Sequence, residues 1–172
     1  MGAMRNTLAV LNQLIKERLI EDYAIGGGIA AIFYIEPILT YDLDVFIRLQ
    51  KQDGLQSLSP IYRYLENKGY SVENEQVVIE KIPVQFLPAF NELLIDAVSK
   101  ANKIDYEGIP TKVMSVEHLL AIMLQASRAK DRERFFKVME EAKTDRDFLD
   151  GILNRFALKE KFEEWENIRN EK

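Results

Sequence analysis

Residues 24–47 read AIGGGIAAIFYIEPILTYDLDVFI, and the order of features along them decides the fold. Tyr23 to Ile25 is a short apolar strand that runs directly into Gly26-Gly27-Gly28. Glycines let a backbone pass close to another group, and a helix starting just after them offers free N–H groups and a dipole that favours an anion. Residues 29–35 predict a small-residue helix, stopped by Pro37. Residues 41–49 then alternate, with Asp42, Asp44 and Phe46 on one face and Leu43, Val45 and Ile47 on the other, which is the period of a strand. Two bare carboxylates on one strand face repel and raise each other's pKa unless a cation lies between them. Each part also has an ordinary reading: the glycines as a tight turn, the acids as the wet face of an edge strand. Their order narrows the choice. Gly27 precedes Asp42 by 15 residues, room for one helix and a turn, so a phosphate cradle and a metal-binding pair can face each other across one cleft.

Working outward, residues 4–20 carry Leu8, Leu11, Ile15 and Leu19 at helical spacing. The opening Met1-Gly2-Ala3 ahead of Met4 looks like a cloning remnant and is set aside in predicting the fold. Ser59-Pro60 opens a helix that runs to Lys68 and closes on Gly69. Strands are expected at residues 75–81 and 84–87, a helix at 91–100, and a hairpin within 103–114 turning at Glu107-Gly108. Ser115 is placed to cap a helix, and from there the chain predicts helices alone, at 116–126, 130–142, 145–156 and 159–169. The expected fold is α+β: a small mixed sheet with flanking helices over residues 4–114, followed by a C-terminal helical bundle over 115–172 that packs on it. Phe86, Phe90 and Tyr62 are expected in the core. Trp165, Phe162 and Ile168 make a helical stripe expected to pack rather than bind, and His118, in a first helical turn, is expected to be structural or on the surface.

The 172 residues are 47% hydrophobic and 30% charged, enough apolar material for a core without staples. Cysteine is absent and His118 is the sole histidine, so disulfides, zinc–thiolate sites and thiol catalysis are excluded. Any metal must be held mainly by oxygen, which favours a hard ion such as Mg2+ (or Mn2+). A net charge of −5 argues against tight nonspecific binding to long nucleic acid, while a local basic patch stays compatible with it. No apolar run approaches the roughly 20 residues of a membrane span and no signal peptide is recognised, so the expected address is cytoplasmic.

The quoted stretch resembles the signature of DNA-polymerase-beta-like nucleotidyltransferases: a Gly-Gly or Gly-Ser turn, one helix, then Asp-x-Asp. Thr40-Tyr41-Asp42-Leu43-Asp44 is similar in wording to the AbiEii-type branch and related small bacterial proteins. SVEHLLAIMLQASRAKDRERF at 115–135 is similar to that branch's helical segment, which ends in a Lys-Asp pair. The resemblance spans residues 23–136. It implies transfer of a nucleoside monophosphate from a nucleoside triphosphate to an acceptor hydroxyl on a small molecule, a protein or an RNA end. Asp42 and Asp44 would be catalytic and hold magnesium, Gly26 and Gly27 would cradle phosphates, and Thr40 would steady the metal strand or a phosphate. Arg128 or Lys130 would reach the triphosphate, with Asp131 holding one of them in place. Without the resemblance those three residues read equally as a solvent-facing break between helices, Asp131 favoured by the dipole. Arg132 and Arg134 are expected to be surface charge.

The match also breaks. Family members carry a third carboxylate in a stretch aligned with KIPVQFLP, residues 81–88, where Gln85 stands. An amide is a poor metal ligand and no general base. Glu80 is the nearest acid that could take its place. A basic residue expected before Asp42 is replaced by Ile38 and Leu39, and a lysine of the middle helix is replaced near Met123. Each loss removes charge stabilisation of a few kcal/mol by the usual cost of one such group. An alternative to the enzyme therefore stands beside it: a catalytically degenerate nucleotide-binding or toxin–antitoxin-like interaction module, with a partner protein. A homodimer through the C-terminal helices is compatible with either.

Overall fold

A computed structural model describes residues 2–50 and 58–172. The first helix, α1 (Ala3–Lys16), buries Thr7, Leu8, Leu11 and Leu14. It stops short of Leu19 because Arg18 turns left-handed, at φ 58°. The Leu19 N–H then bonds to the Leu14 carbonyl at 3.0 Å and the Arg18 N–H to Ile15 at 2.9 Å, a Schellman ending that the stripe alone did not announce. Ala3, set aside in the sequence reading, begins the helix, and its carbonyl accepts from the Thr7 hydroxyl at 2.9 Å. Met1 lies outside the described residues.

The decisive stretch forms β1 (Asp22–Gly26), α2 (Gly27–Ile32) and β2 (Leu43–Arg48). Helix α2 starts two residues earlier than expected and ends earlier too, where Phe33 and Tyr34 bond back three residues rather than four. There follow α3 (Ser59–Asn67), β3 (Ser71–Glu73), β4 (Gln76–Ile79) and β5 (Ile82–Pro88). Next come α4 (Glu92–Ser99), β6 (Asn102–Tyr106) and β7 (Ile109–Val113). Strand β3 was not expected. Its three residues are all exposed, and it returns into β4 through Asn74-Glu75, both at positive φ but without the glycine that usually marks such a turn.

Among the described residues seven strands form one sheet, in the order β3-β4-β5-β2-β1-β7-β6. Strand β2 runs antiparallel to β1 and parallel to β5. Gly26 pairs with Asp44 and Asp44 with Gln85, so these three residues form one row across the sheet centre. Leu43, Val45 and Ile47 are fully buried, while Asp44 and Phe46 alternate onto the other face and stay half-open. The sheet is mixed and helices flank it, as the α+β expectation required.

All strands precede residue 114, and α5 (Val116–Ala126), α6 (Ala129–Glu141), α7 (Arg146–Arg155) and α8 (Lys159–Asn170) follow. Ser115 caps α5, its hydroxyl accepting from the His118 N–H at 3.1 Å. Helix α5 lies against α2, α4, α6 and α7. Phe135 of α6, fully buried, meets the edges of Phe162 and Trp165 of α8 at 5.9 and 5.1 Å between ring centres. Phe86 is buried and Tyr62 half-buried, but Phe90, expected in the core, is 78% exposed. It stands just before Asn91, whose side chain caps α4, so the chain leaves the sheet there rather than continuing into it. No helix among the described residues is long and apolar enough to cross a membrane.

Candidate functional site

A cleft of about 380 Å³ opens where the sheet row Gly26–Asp44–Gln85 meets α5 and α6. Gly27, Thr40, Asp42, Asp44 and Gln85 line one side, and Arg128, Lys130, Asp131 and Arg134 line the other. Between them the wall turns apolar, with Phe46, Leu87, Leu119, Ile122 and Met123.

Two glycines set how close the elements come. Gly27 sits at φ +60°, and a Cβ there would overlap the Asp44 carboxylate. A Cβ on Gly28 would lie 2.7 Å from the Thr40 hydroxyl and 3.2 Å from the Arg134 guanidinium. The first turn of α2 is therefore bare backbone laid against Asp44, Thr40 and Arg134. Gly26, expected to join the cradle, is not among the residues that line the cleft. Its α-carbon faces the Phe46 ring and the Met114 sulfur, so it serves the close packing of β1 on its neighbours.

The acid side carries the repulsion that the sequence implied. Burial, then the neighbouring Asp42, push the Asp44 carboxyl above its ordinary value. Lys130, Arg134 and Arg128 pull the other way and do not cancel it. Among the described residues no group of three or more acids or histidines is assembled. Gln85 occupies the register position beside Asp44 where a third acid would stand. Glu80 does not replace it: it sits at positive φ in the turn from β4 to β5, accepting from the Tyr70 hydroxyl at 2.7 Å. Burial and that bond push Tyr70 up to about 12.

The donor set fits a hard cation shared with a substrate. Magnesium is commonly held by one or two carboxylates, with substrate phosphates and water completing its shell. Asp42 and Asp44 would supply that pair, and a cation between them would offset the Asp42 repulsion that, after burial, raises Asp44.

On the basic side, Asp131 is buried at 4% exposure and accepts three hydrogen bonds from Arg128. One comes from the backbone N–H at 3.1 Å; Nε at 2.7 Å and Nη2 at 3.1 Å supply the others. The Arg128 side chain is 60% exposed. An ion pair that wet adds at most about 1 kcal/mol to stability, so its consequence is orientation: the guanidinium is fixed at the cleft mouth. Arg134, expected on the surface, is a cleft residue. Asp131, Phe135 and Val138 form the buried stripe of α6, and Lys130 and Arg134 flank it on the cleft side.

The roof helix α5 is tied down from below. His118 is fully buried, and its Nε2–H donates to Asp96 at 2.8 Å while Nδ1 accepts from Ser115 at 2.8 Å. Lys100 and Arg155 each donate to Asp96 at 3.0 Å, joining α4, α5 and α7. Burial outweighs the pull of Asp96 and holds His118 below its ordinary pKa. Burial also pushes Asp96 up, but the bonds from His118 and Lys100 more than offset it and leave it low. Ser115 is only 4% exposed and its oxygen is committed to the cap, so this Ser-His-Asp set is structural.

Together these elements define a nucleotidyltransferase-like fold. It is shared with an antigenic nucleotidyltransferase-like protein from Paracoccidioides brasiliensis, at TM-score 0.56 and 14% identity over 79% of this chain and 75% of that one. It is shared also with the antibiotic-resistance factor ANT(2'')-Ia, whose solution structure aligns over 100% of both chains at TM-score 0.52 and 16% identity. No protein-family profile matches the sequence, and no curated protein resembles it significantly. At such identities the likeness speaks to the fold.

Proposed function

We propose that the chain is a magnesium-dependent nucleotidyltransferase of the AbiEii-like kind, moving a nucleoside monophosphate from a nucleoside triphosphate to an acceptor hydroxyl. One observation carries the reading: Asp42 and Asp44 and the bare Gly27 turn face Arg128, Lys130 and Arg134 across a single cleft. A triphosphate with its cation would meet both halves, the cation held by Asp42 and Asp44 and the phosphates by Arg128, Lys130 and Arg134. Asp42 and Asp44 would hold the ion, magnesium or manganese, which when bound supplies Lewis-acid stabilisation of phosphoryl charge. Lys130, Arg134 and the pinned Arg128 would stabilise charge growing on the leaving pyrophosphate, and the Gly27 backbone would admit a phosphate where a side chain could not enter. In transfer the acceptor oxygen bonds to the α-phosphorus, the bond to pyrophosphate breaks, and the hydroxyl proton passes to solvent, because Gln85 takes none. A cytoplasmic setting, where nucleoside triphosphates abound, suits this chemistry.

Gln85 beside Asp44 favours a second reading, binding without turnover in a module that acts with a partner protein. Calorimetric titration of ATP, GTP, CTP and UTP, with and without magnesium, tests the site. Binding should require magnesium and weaken at least about a hundredfold in Asp42→Asn/Asp44→Asn, by the loss of two charged ligands. No binding of any nucleotide would refute the proposal; binding with no pyrophosphate release for any acceptor would leave the second reading.

A further inference from the structure

Arg128 belongs to two cavities. Beside the cleft, a second cavity of about 370 Å³ is lined by Arg128, Arg132, Lys161 and Trp165, with Glu164 as the single acid among its described lining residues. Neither Arg132 nor Lys161 has an ion-pair partner among the described residues, and the pairs nearby are Arg128–Asp131 and Arg169–Glu166. The sequence explains how one helix serves both sides. At about 100° per residue, Lys130 and Arg134 lie to one side of the buried Asp131–Phe135–Val138 stripe and Arg132 to the other. Arg128 and Arg132, and Lys130 and Arg134, are also like-charge pairs four residues apart near a helix start, an arrangement that both neighbour repulsion and the helix dipole disfavour. In a chain of net charge −5, residues 128–134 hold four cations against Asp131 and Glu133.

We propose that this second cavity seats a phosphate group of the acceptor, so that the acceptor is a phosphate ester whose hydroxyl reaches past Arg128 into the cleft. The assignment rests on the nucleotidyltransferase reading above and adds the class of its second substrate. A cationic acceptor would meet Arg128, Arg132 and Lys161 together. A neutral one would leave Arg132 and Lys161 without a counter-charge.

Trp165 is the only tryptophan of the chain and lies in the cavity wall, so its fluorescence reports occupancy. The probes are inorganic phosphate, a nucleoside monophosphate, and a short oligonucleotide with and without a 5′-phosphate. The phosphorylated probes should change the emission saturably, and Arg132→Ala and Lys161→Ala should each weaken binding about tenfold, the usual loss for one charged hydrogen bond. The response should persist in Asp42→Asn/Asp44→Asn, which disables the cleft alone. Tighter binding of the phosphorylated oligonucleotide would point to a nucleic-acid end, and equal binding of the monophosphate to a small phosphorylated acceptor. Equal affinity for the unphosphorylated strand, or no effect of either substitution while magnesium-dependent NTP binding is intact, overturns the pocket. Failure of the wild-type chain to bind NTP brings down the cleft reading, and the acceptor role with it, whatever Trp165 reports.

Discussion

Gly27→Ala separates backbone strain from loss of the site, because the chain carries its own control. Gly27 and Gly69 both sit at positive φ, +60° and +93°, but a Cβ on Gly69 meets nothing within 4 Å whereas one on Gly27 overlaps the Asp44 carboxylate. Placing an L-residue in the left-handed region costs about 1–2 kcal/mol, and both alanine variants incur it. At Gly27 the carboxylate must also swing out of its rotamer, about 0.5–1.5 kcal/mol more. At about 2–4 °C per kcal/mol for a chain of this size, Gly69→Ala should melt roughly 2–8 °C lower and Gly27→Ala roughly 3–14 °C lower, with the cooperative transition preserved. The larger difference lies in binding. With Asp44 displaced and the phosphate approach filled, magnesium-dependent NTP affinity should fall about a hundredfold in Gly27→Ala, by loss of a charged ligand and a backbone contact, and stay unchanged in Gly69→Ala. Calorimetry on both variants below their melting temperatures is the assay. A Gly27→Ala protein that binds NTP as the wild type does would refute the account of the turn.

Arg134→Ala should weaken NTP binding about tenfold with little change in melting temperature; an equal effect from Arg146→Ala, outside the cleft, would show mere charge dependence. Gln85→Asp places a carboxylate directly opposite Asp44, so it should lower stability by up to about 1 kcal/mol without magnesium and show a larger magnesium-induced rise in melting temperature than the wild type. An identical rise in both proteins would place position 85 away from the ion. His118 is held below its unfolded pKa, near 6.5, so the folded state binds fewer protons. Its contribution is complete above about 6.5 and declines as pH falls below that, with a slope of at most about 1.4 kcal/mol per unit. Chemical denaturation from pH 7.5 to 5 should show this decline and His118→Gln should flatten it; parallel profiles would assign the acid sensitivity elsewhere.

Half of the candidate site was legible because its residues are consecutive. Strand, glycine turn, helix and Asp-x-Asp follow one another, but β2 begins at Leu43 rather than Tyr41, so the period of two places Asp44 alone and Asp42 reaches the cleft from just ahead of the strand. The row across the sheet was legible only through resemblance, since nothing in KIPVQFLP says that Gln85 will stand beside Asp44. The basic half was harder. From sequence Arg134 reads as surface charge because its place depends on how α6 is rotated, and that rotation is set by Phe135 docking on Phe162 and Trp165 far along the chain. A signal existed: Asp131, Phe135 and Val138 at helical spacing mark the buried stripe and put Lys130 and Arg134 together on one flank. Phe90 misled for the opposite reason. Its aromaticity suggested the core, but the helix cap at Asn91 decided its exposure.

Gln85 also bears on how the two halves balance. A third carboxylate beside Asp44 would add repulsion to a group that burial and Asp42 already push up against the pull of Lys130, Arg134 and Arg128. With the amide there, the empty cleft stays closer to neutral, and Lys130 and Arg134 keep their charge available for a ligand's phosphates. In the proposed transfer an amide at this position would also supply no base for the acceptor hydroxyl. Tolerance of the empty site and speed of transfer are therefore opposed at one position. In the proposed reaction Arg128, fixed by Asp131 and shared by the two cavities, would offer a partial remedy: an acceptor held by its own phosphate would need less assistance from a base, because orientation alone lowers a barrier by several kcal/mol.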